Sequence, residues 1–127
     1  MHADDTGVNR LTECIIGCAF KVINTLGSGF LEKNYENALA HELRKAGLTV
    51  AQQHGVRVEY DGIIIGTYAV DLLVESTIII ELKAIKALDH AHTAQCLNYL
   101  KATGPQICLL LNFGKSRLEI RRMAHGL

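Results

Sequence analysis

The chain has 127 residues, of which 49% are hydrophobic, and 13 Lys plus Arg balance 13 Asp plus Glu. That length and apolar content are enough to close a core without metal or disulfide staples, so residues 1–127 read as one α/β domain. A formal net charge of zero excludes the global basic field of a non-specific nucleic-acid binder, and any polyanion site has to be local.

In chain order, Leu11, Ile15, Ala19, Val22, Ile23 and Leu26 recur at helical spacing. They predict a helix over about residues 9–26, with Asn9 as its N-cap and the glycines of "GSG" at 27–29 ending it. A second helix follows over about 31–46, with a core stripe of Leu31, Tyr35, Ala38, Leu39, Leu43 and Ala46 and a stop at Gly47. β-Branched residues then take over. Val50–Tyr60 and Ile63–Val74 read as strands joined by the hairpin signal Asp61-Gly62, and Thr77–Ala84 as a third, together an antiparallel meander. Helical periodicity returns through Ala91, Ala94, Leu97 and Leu100 and stops at Gly104-Pro105. "QICLLLNF" is a short apolar strand, and "LEIRRM" a last one at a sheet edge. The order is α-α-β-β-β-α-β-β around a mixed central sheet flanked by helices.

Cys14, Cys18, Cys96 and Cys108 lack CxxC spacing and sit among apolar residues, as free buried cysteines do. The one-turn separation of Cys14 and Cys18 leaves a metal or iron–sulfur role as the alternative. No run is long enough to cross a bilayer and "MHADDTGVNR" is not a secretory leader, so the expected location is the cytoplasm. The size is also compatible with a homodimer.

The informative stretch is "IIIELK" at 78–83, preceded by "YAVDLLVE". Strand alternation sends Glu81 and Lys83 to one side and Ile80 and Leu82 to the other. If the hairpin turns at Ser76, Asp71 faces Glu81 across it. Facing carboxylates repel unless a proton, a cation or Lys83 relieves them. One reading is an ion-pair cluster in which Lys83 bridges Asp71 and Glu81. The other is a divalent-metal site, since Mg²⁺ or Mn²⁺ prefers a few carboxylate oxygens and keeps positions for water and phosphate. Lys83 would then orient water and offset charge on a phosphorane-like transition state.

An aspartate on one strand followed by Glu-x-Lys on the next resembles the PD-(D/E)xK nuclease superfamily, here as Asp71 with Glu81-Leu82-Lys83. More narrowly, Gly29, Glu32 and Tyr35 in "GFLEKNY" are similar to the signature of the GxxExxY family. The resemblance implies a restriction-endonuclease-like fold and metal-dependent phosphodiester hydrolysis, with nucleic acid, chiefly DNA, as partner. It also implies a helix carboxylate at the site. The likeness of "YENALAHELRKAGL" to the helix of archaeal Holliday-junction resolvases selects Glu36 as a further metal ligand, whereas the GxxExxY signature emphasises Glu32. Gln95 and Tyr99 resemble the QxxxY motif of the lambda-exonuclease and RecB-like branch, which implies a role in substrate placement. His92, three residues before Gln95, is a further candidate, while His90 and His92 lie two apart on a helix and point apart. The "GSG" turn is a poor dinucleotide motif, because it follows a helix and lacks a third glycine. Its helix-opening amides offer a phosphate site instead. Lys86, Lys101, Lys115, Arg117, Arg121 and Arg122 are the candidates for backbone phosphate contacts. The alternative function is a nuclease-like fold used for binding or protein interaction without turnover.

Overall fold

A computed structural model describes residues 3–105 and 107–125. It contains α1 (Ala3–Leu26), α2 (Glu32–Lys45), β1 (Val50–Tyr60), β2 (Ile63–Val74), β3 (Ile78–Lys83), α3 (His90–Ala102), β4 (Ile107–Asn112) and β5 (Glu119–Ala124). Gln106, assigned by the sequence to the fourth strand, lies outside the described residues. The order matches the expected one, and the five strands form one sheet in the order β1-β2-β3-β4-β5. The first three are antiparallel, β4 runs parallel to β3, and β5 is antiparallel to β4 at the far edge.

Helices cover both faces. Ile15, Ala19, Val22 and Ile23 of α1 and Tyr35, Leu39, Ala40 and Leu43 of α2 pack on Leu72, Val74, Ile78, Ile80, Leu82, Ile107, Leu109 and Leu111. On the opposite face Cys96, Tyr99 and Leu100 of α3 pack on Val56, Val70, Ile79, Cys108, Leu110 and Met123. Burial on both faces explains why β3 and β4 are nearly continuous apolar runs. The β1–β2 loop is a two-residue turn with positive φ at Asp61 (56°) and Gly62 (77°), which matches the right-handed strand twist.

Several expectations are corrected. α1 begins six residues earlier than its apolar stripe implies, so Asn9 lies inside the helix, where its Oδ1 accepts a hydrogen bond from Arg122 at 3.2 Å. Leu31 is 76% exposed and Ala46 is an exposed C-cap residue, so neither belongs to the α2 core stripe. Ala91 and Ala94 are also exposed, and Cys96, Tyr99 and Leu100 form the buried face of α3. Alanine carries too little apolar area to dictate which face a helix buries. Cys14 is exposed and Cys18 half-buried, whereas Cys96 and Cys108 are buried as expected. The third strand is one residue shorter at each end than Thr77–Ala84. Among the described residues no helix is long and apolar enough to cross a membrane.

Candidate active site

The β2–β3 hairpin turns through Glu75 and Ser76, both near φ 53°, with Thr77 N–H donating to the Val74 carbonyl at 2.9 Å. Its ladder pairs Val74 with Ile78, Leu73 with Ile79 and Leu72 with Ile80. The next step of that register brings Asp71 to Glu81, as the turn position predicts. There the regular ladder stops and side chains take over the backbone donors. Asp71 N–H donates to Glu81 Oε1 at 3.2 Å, and Leu82 N–H donates to Asp71 Oδ2 at 2.8 Å.

The same point is where β1 and β2 change face. Val70 packs under α3 although Leu72 and Val74, an even number of residues on, pack under α1 and α2. On β1 the equivalent break falls at Gln53, whose φ is 51°. A left-handed residue inside a strand turns the chain and re-aims its neighbours, as a bulge does. The two amides there converge on the helix carboxylate. Gln53 Nε2 donates to Glu36 Oε1 at 2.6 Å and to Asp71 Oδ1 at 3.2 Å, while Gln52 Nε2 and Lys33 Nζ donate to Glu36 Oε2 at 2.7 and 2.9 Å. Glu36 is therefore coupled to Asp71 through one side chain. Neither glutamine is marked by the periodicity; the only signal is the polar pair "QQ" interrupting a β-branched run.

Glu81 is 7% exposed. Desolvation, and next the charge of Asp71, pushes its carboxyl up to about 9. Among the described residues Lys83 forms no ion pair with Asp71, Glu81 or any other acid, so the proposed ion-pair cluster is not formed. Lys83 is half-buried at the end of β3 and sits opposite Asn112 on β4. Asn112 is fully buried and staples the loop that follows Lys83. Its Oδ1 accepts from Ile85 and Gly114 N–H, and its Nδ2 donates to the Ile85 carbonyl, all at 3.0 Å.

Glu32 opens α2 on the solvent side of this cluster. Partial desolvation raises its carboxyl, Asp71 and Glu36 add to the rise, and Lys83 opposes it. The residues that resemble a family signature divide the labour. Gly29, at φ 109°, makes the turn, and the fully buried Tyr35 holds it: its hydroxyl donates to the Gly27 carbonyl at 2.6 Å and accepts from Phe30 N–H at 3.1 Å. Tyr35 stacks on Phe113, with centroids 4.8 Å apart, which fixes the α2 entrance against the core.

On the α3 side an open groove of about 1000 Å³ lies between β1 and α3, with His54, Val56, Tyr68, Gln95, Tyr99 and Lys101 in its walls. Gln95 and Tyr99 thus face one space, although Tyr99 is buried and Gln95 exposed. The Tyr68 and Tyr99 rings lie 4.3 Å apart, and desolvation, then Glu81, raises both hydroxyls above their usual range. His92 is engaged elsewhere: it completes the capping box of α3, its Nδ1 accepting from Asp89 N–H at 3.1 Å. Lys86, Lys115 and Arg117 are exposed in the loops after β3 and β4. Arg121 pairs with Glu119 on the edge strand, and Arg122 with Asn9.

Among the described residues no three or more His, Cys, Asp or Glu side chains converge as a metal-holding group. The donor chemistry nevertheless suits a hard cation: two facing carboxylates with a third one amide away, all oxygen, and no ion pair on Asp71 or Glu81 among the described residues.

The family model described as the PD-(D/E)XK nuclease superfamily matches residues 9–123 of the chain. No curated protein matches it significantly in sequence. Among solved structures it is similar to an alkaline exonuclease (LHK-Exo) from Laribacter hongkongensis, with a TM-score of 0.51 and 15% identity over 84% of this chain and 76% of that one. That likeness concerns the fold.

Proposed function

Because the chain belongs to the PD-(D/E)XK nuclease superfamily, we propose that it is a divalent-metal-dependent nuclease that hydrolyses phosphodiester bonds in nucleic acid, with DNA the favoured substrate. The observation that carries this reading is the buried Glu81 facing Asp71 with no cation of the described residues on either carboxylate. Their repulsion is relieved by a proton on Glu81 in the free protein, or by a cation that displaces that proton. Asp71 and Glu81 would hold Mg²⁺ or Mn²⁺, with Glu36 as the adjoining acid. A cation held there would supply charge neutralisation and an activated water. Lys83, which makes no ion pair among the described residues, would orient that water and offset charge on the transferring phosphate. Gln95 and Tyr99 hold the substrate strand in the groove, with Lys101 and the exposed Lys86, Lys115 and Arg117 contacting phosphates. Gly29, Glu32 and Tyr35 support assignment to the GxxExxY family, with Glu32 as a second acidic group at the mouth of the site.

A second reading, a nuclease fold kept for binding without turnover, is favoured by the lack of a converged metal-holding group among the described residues. Asp71→Asn distinguishes the two. In the nuclease reading Mn²⁺ raises the melting temperature of the wild type by mass action and supports cleavage of DNA, and both responses disappear in the variant. A wild type whose melting and cleavage are indifferent to metal leaves the binding module.

A further inference from the structure

The two edges of the sheet are unlike. β5 is six residues long and carries Arg121 and Arg122, the charged, short design that discourages strand addition. β1 has eleven residues and no proline or lysine, and among the described residues its outer side is unpaired because the sheet begins with it. The kink at Gln53 and the turn at Asp61 bound a regular stretch, His54–Tyr60. The register irregularity near its end falls between Val58 and Glu59, where Gly66 and then Ile64 are the partners, so the extra residue is Ile65 on β2 and the free edge of β1 stays even.

We propose that this edge pairs antiparallel with the same edge of a second copy, centred on Val58, to form a two-fold dimer with a continuous ten-stranded sheet. The charge pattern selects both the partner and the register. Centred on Val58, Arg57 of each copy lies opposite Glu59 of the other, so two opposite-charge cross-strand pairs form at once. Centring on Arg57 or on Glu59 sets a like charge against itself. Both side chains are exposed and neither has an ion-pair partner among the described residues, so they are free to make these contacts. The same register brings Tyr60, 71% exposed at the end of the strand, beside Val56 of the other copy. Val56 is buried under α3 in the wall of the groove, so Tyr60 covers its rim. The two-fold axis stands perpendicular to the sheet, so the grooves of the two copies open on one face. This inference does not depend on the nuclease reading.

Sedimentation equilibrium from micromolar to near-millimolar concentration tests it. The wild type is expected to reach twice the mass of one chain. Arg57→Glu and Glu59→Arg each set like charges opposite one another and weaken association by at least about tenfold, and Tyr60→Ser weakens it as well. The double exchange Arg57→Glu/Glu59→Arg recreates both pairs and restores association to within about threefold of wild type. Circular dichroism melts confirm that each variant is folded, as expected for exposed positions. A wild type that stays monomeric throughout overturns the proposal and assigns the edge to a different extended chain. So does a dimer that ignores the single exchanges or is not recovered by the double one.

Discussion

Glu81→Gln reports directly on the environment of the buried carboxylate that faces Asp71. In the folded chain Glu81 holds its proton up to about pH 9, against an ordinary value of 4.5. Between these values the folded state binds one more proton than the unfolded one, so stability falls as pH rises through the window. Full stability is present below about pH 4.5, and the loss is complete above about pH 9. Each pH unit inside the window corresponds to about 1.4 kcal/mol, an upper bound, since water at the open side of the cluster moderates it. Glutamine keeps an oxygen to accept the Asp71 N–H, removes the charge and offers Asp71 a donor in place of repulsion. In EDTA the variant should therefore match the wild type near pH 5 and exceed it by about 1–3 kcal/mol at pH 8. Urea titrations at both pH values measure this. A stability difference that stays constant from pH 5 to pH 8 refutes the assignment of Glu81 as a desolvated carboxylate repelled by Asp71.

Glu36→Gln should weaken Mn²⁺ binding and cleavage more than Glu32→Gln, because Glu36 shares Gln53 with Asp71 whereas Glu32 is exposed; isothermal titration with Mn²⁺ ranks them, and the reverse order transfers the role to Glu32. Tyr35→Phe leaves the Gly27 carbonyl and the Phe30 N–H without their partner and should cost about 1–3 kcal/mol, read as a lower urea midpoint at unchanged slope. An unaltered midpoint would show that the hydroxyl does not hold the turn.

The strands were legible because their signals are local. Alternation and the Asp61-Gly62 turn specify β1 and β2 to the residue, and placing the next turn at Ser76 sets Asp71 against Glu81 by counting alone. Lys83 was legible as a charged residue at the end of β3, but its lack of an ion-pair partner among the described residues was not, because that depends on where a flexible four-carbon stem ends. The start of α1 was hidden because residues before Val8 carry no apolar stripe, and Asn9 resembles a cap in any sequence. Gln52 and Gln53 were missed for a deeper reason. The left-handed turn at Gln53 lacks the glycine, asparagine or aspartate that usually marks it, and the amide acts only once α2 and β2 have been brought together.

The cleavage rate of Lys83→Ala under saturating Mn²⁺, measured beside its melting curve, bears most directly on the central claim. Lys83 is half-buried and makes no ion pair among the described residues, so its removal should change stability by less than about 1 kcal/mol. In the nuclease reading its charge acts as the phosphate accumulates charge, so the rate on single-stranded, duplex or branched DNA should fall by about 100-fold with Mn²⁺ binding nearly intact. The contrary result is a wild type that cuts none of these substrates nor RNA, together with a Lys83→Ala variant destabilised by about 3 kcal/mol or more. That outcome would return Lys83 to a structural ion pair and leave a nuclease fold without nuclease chemistry.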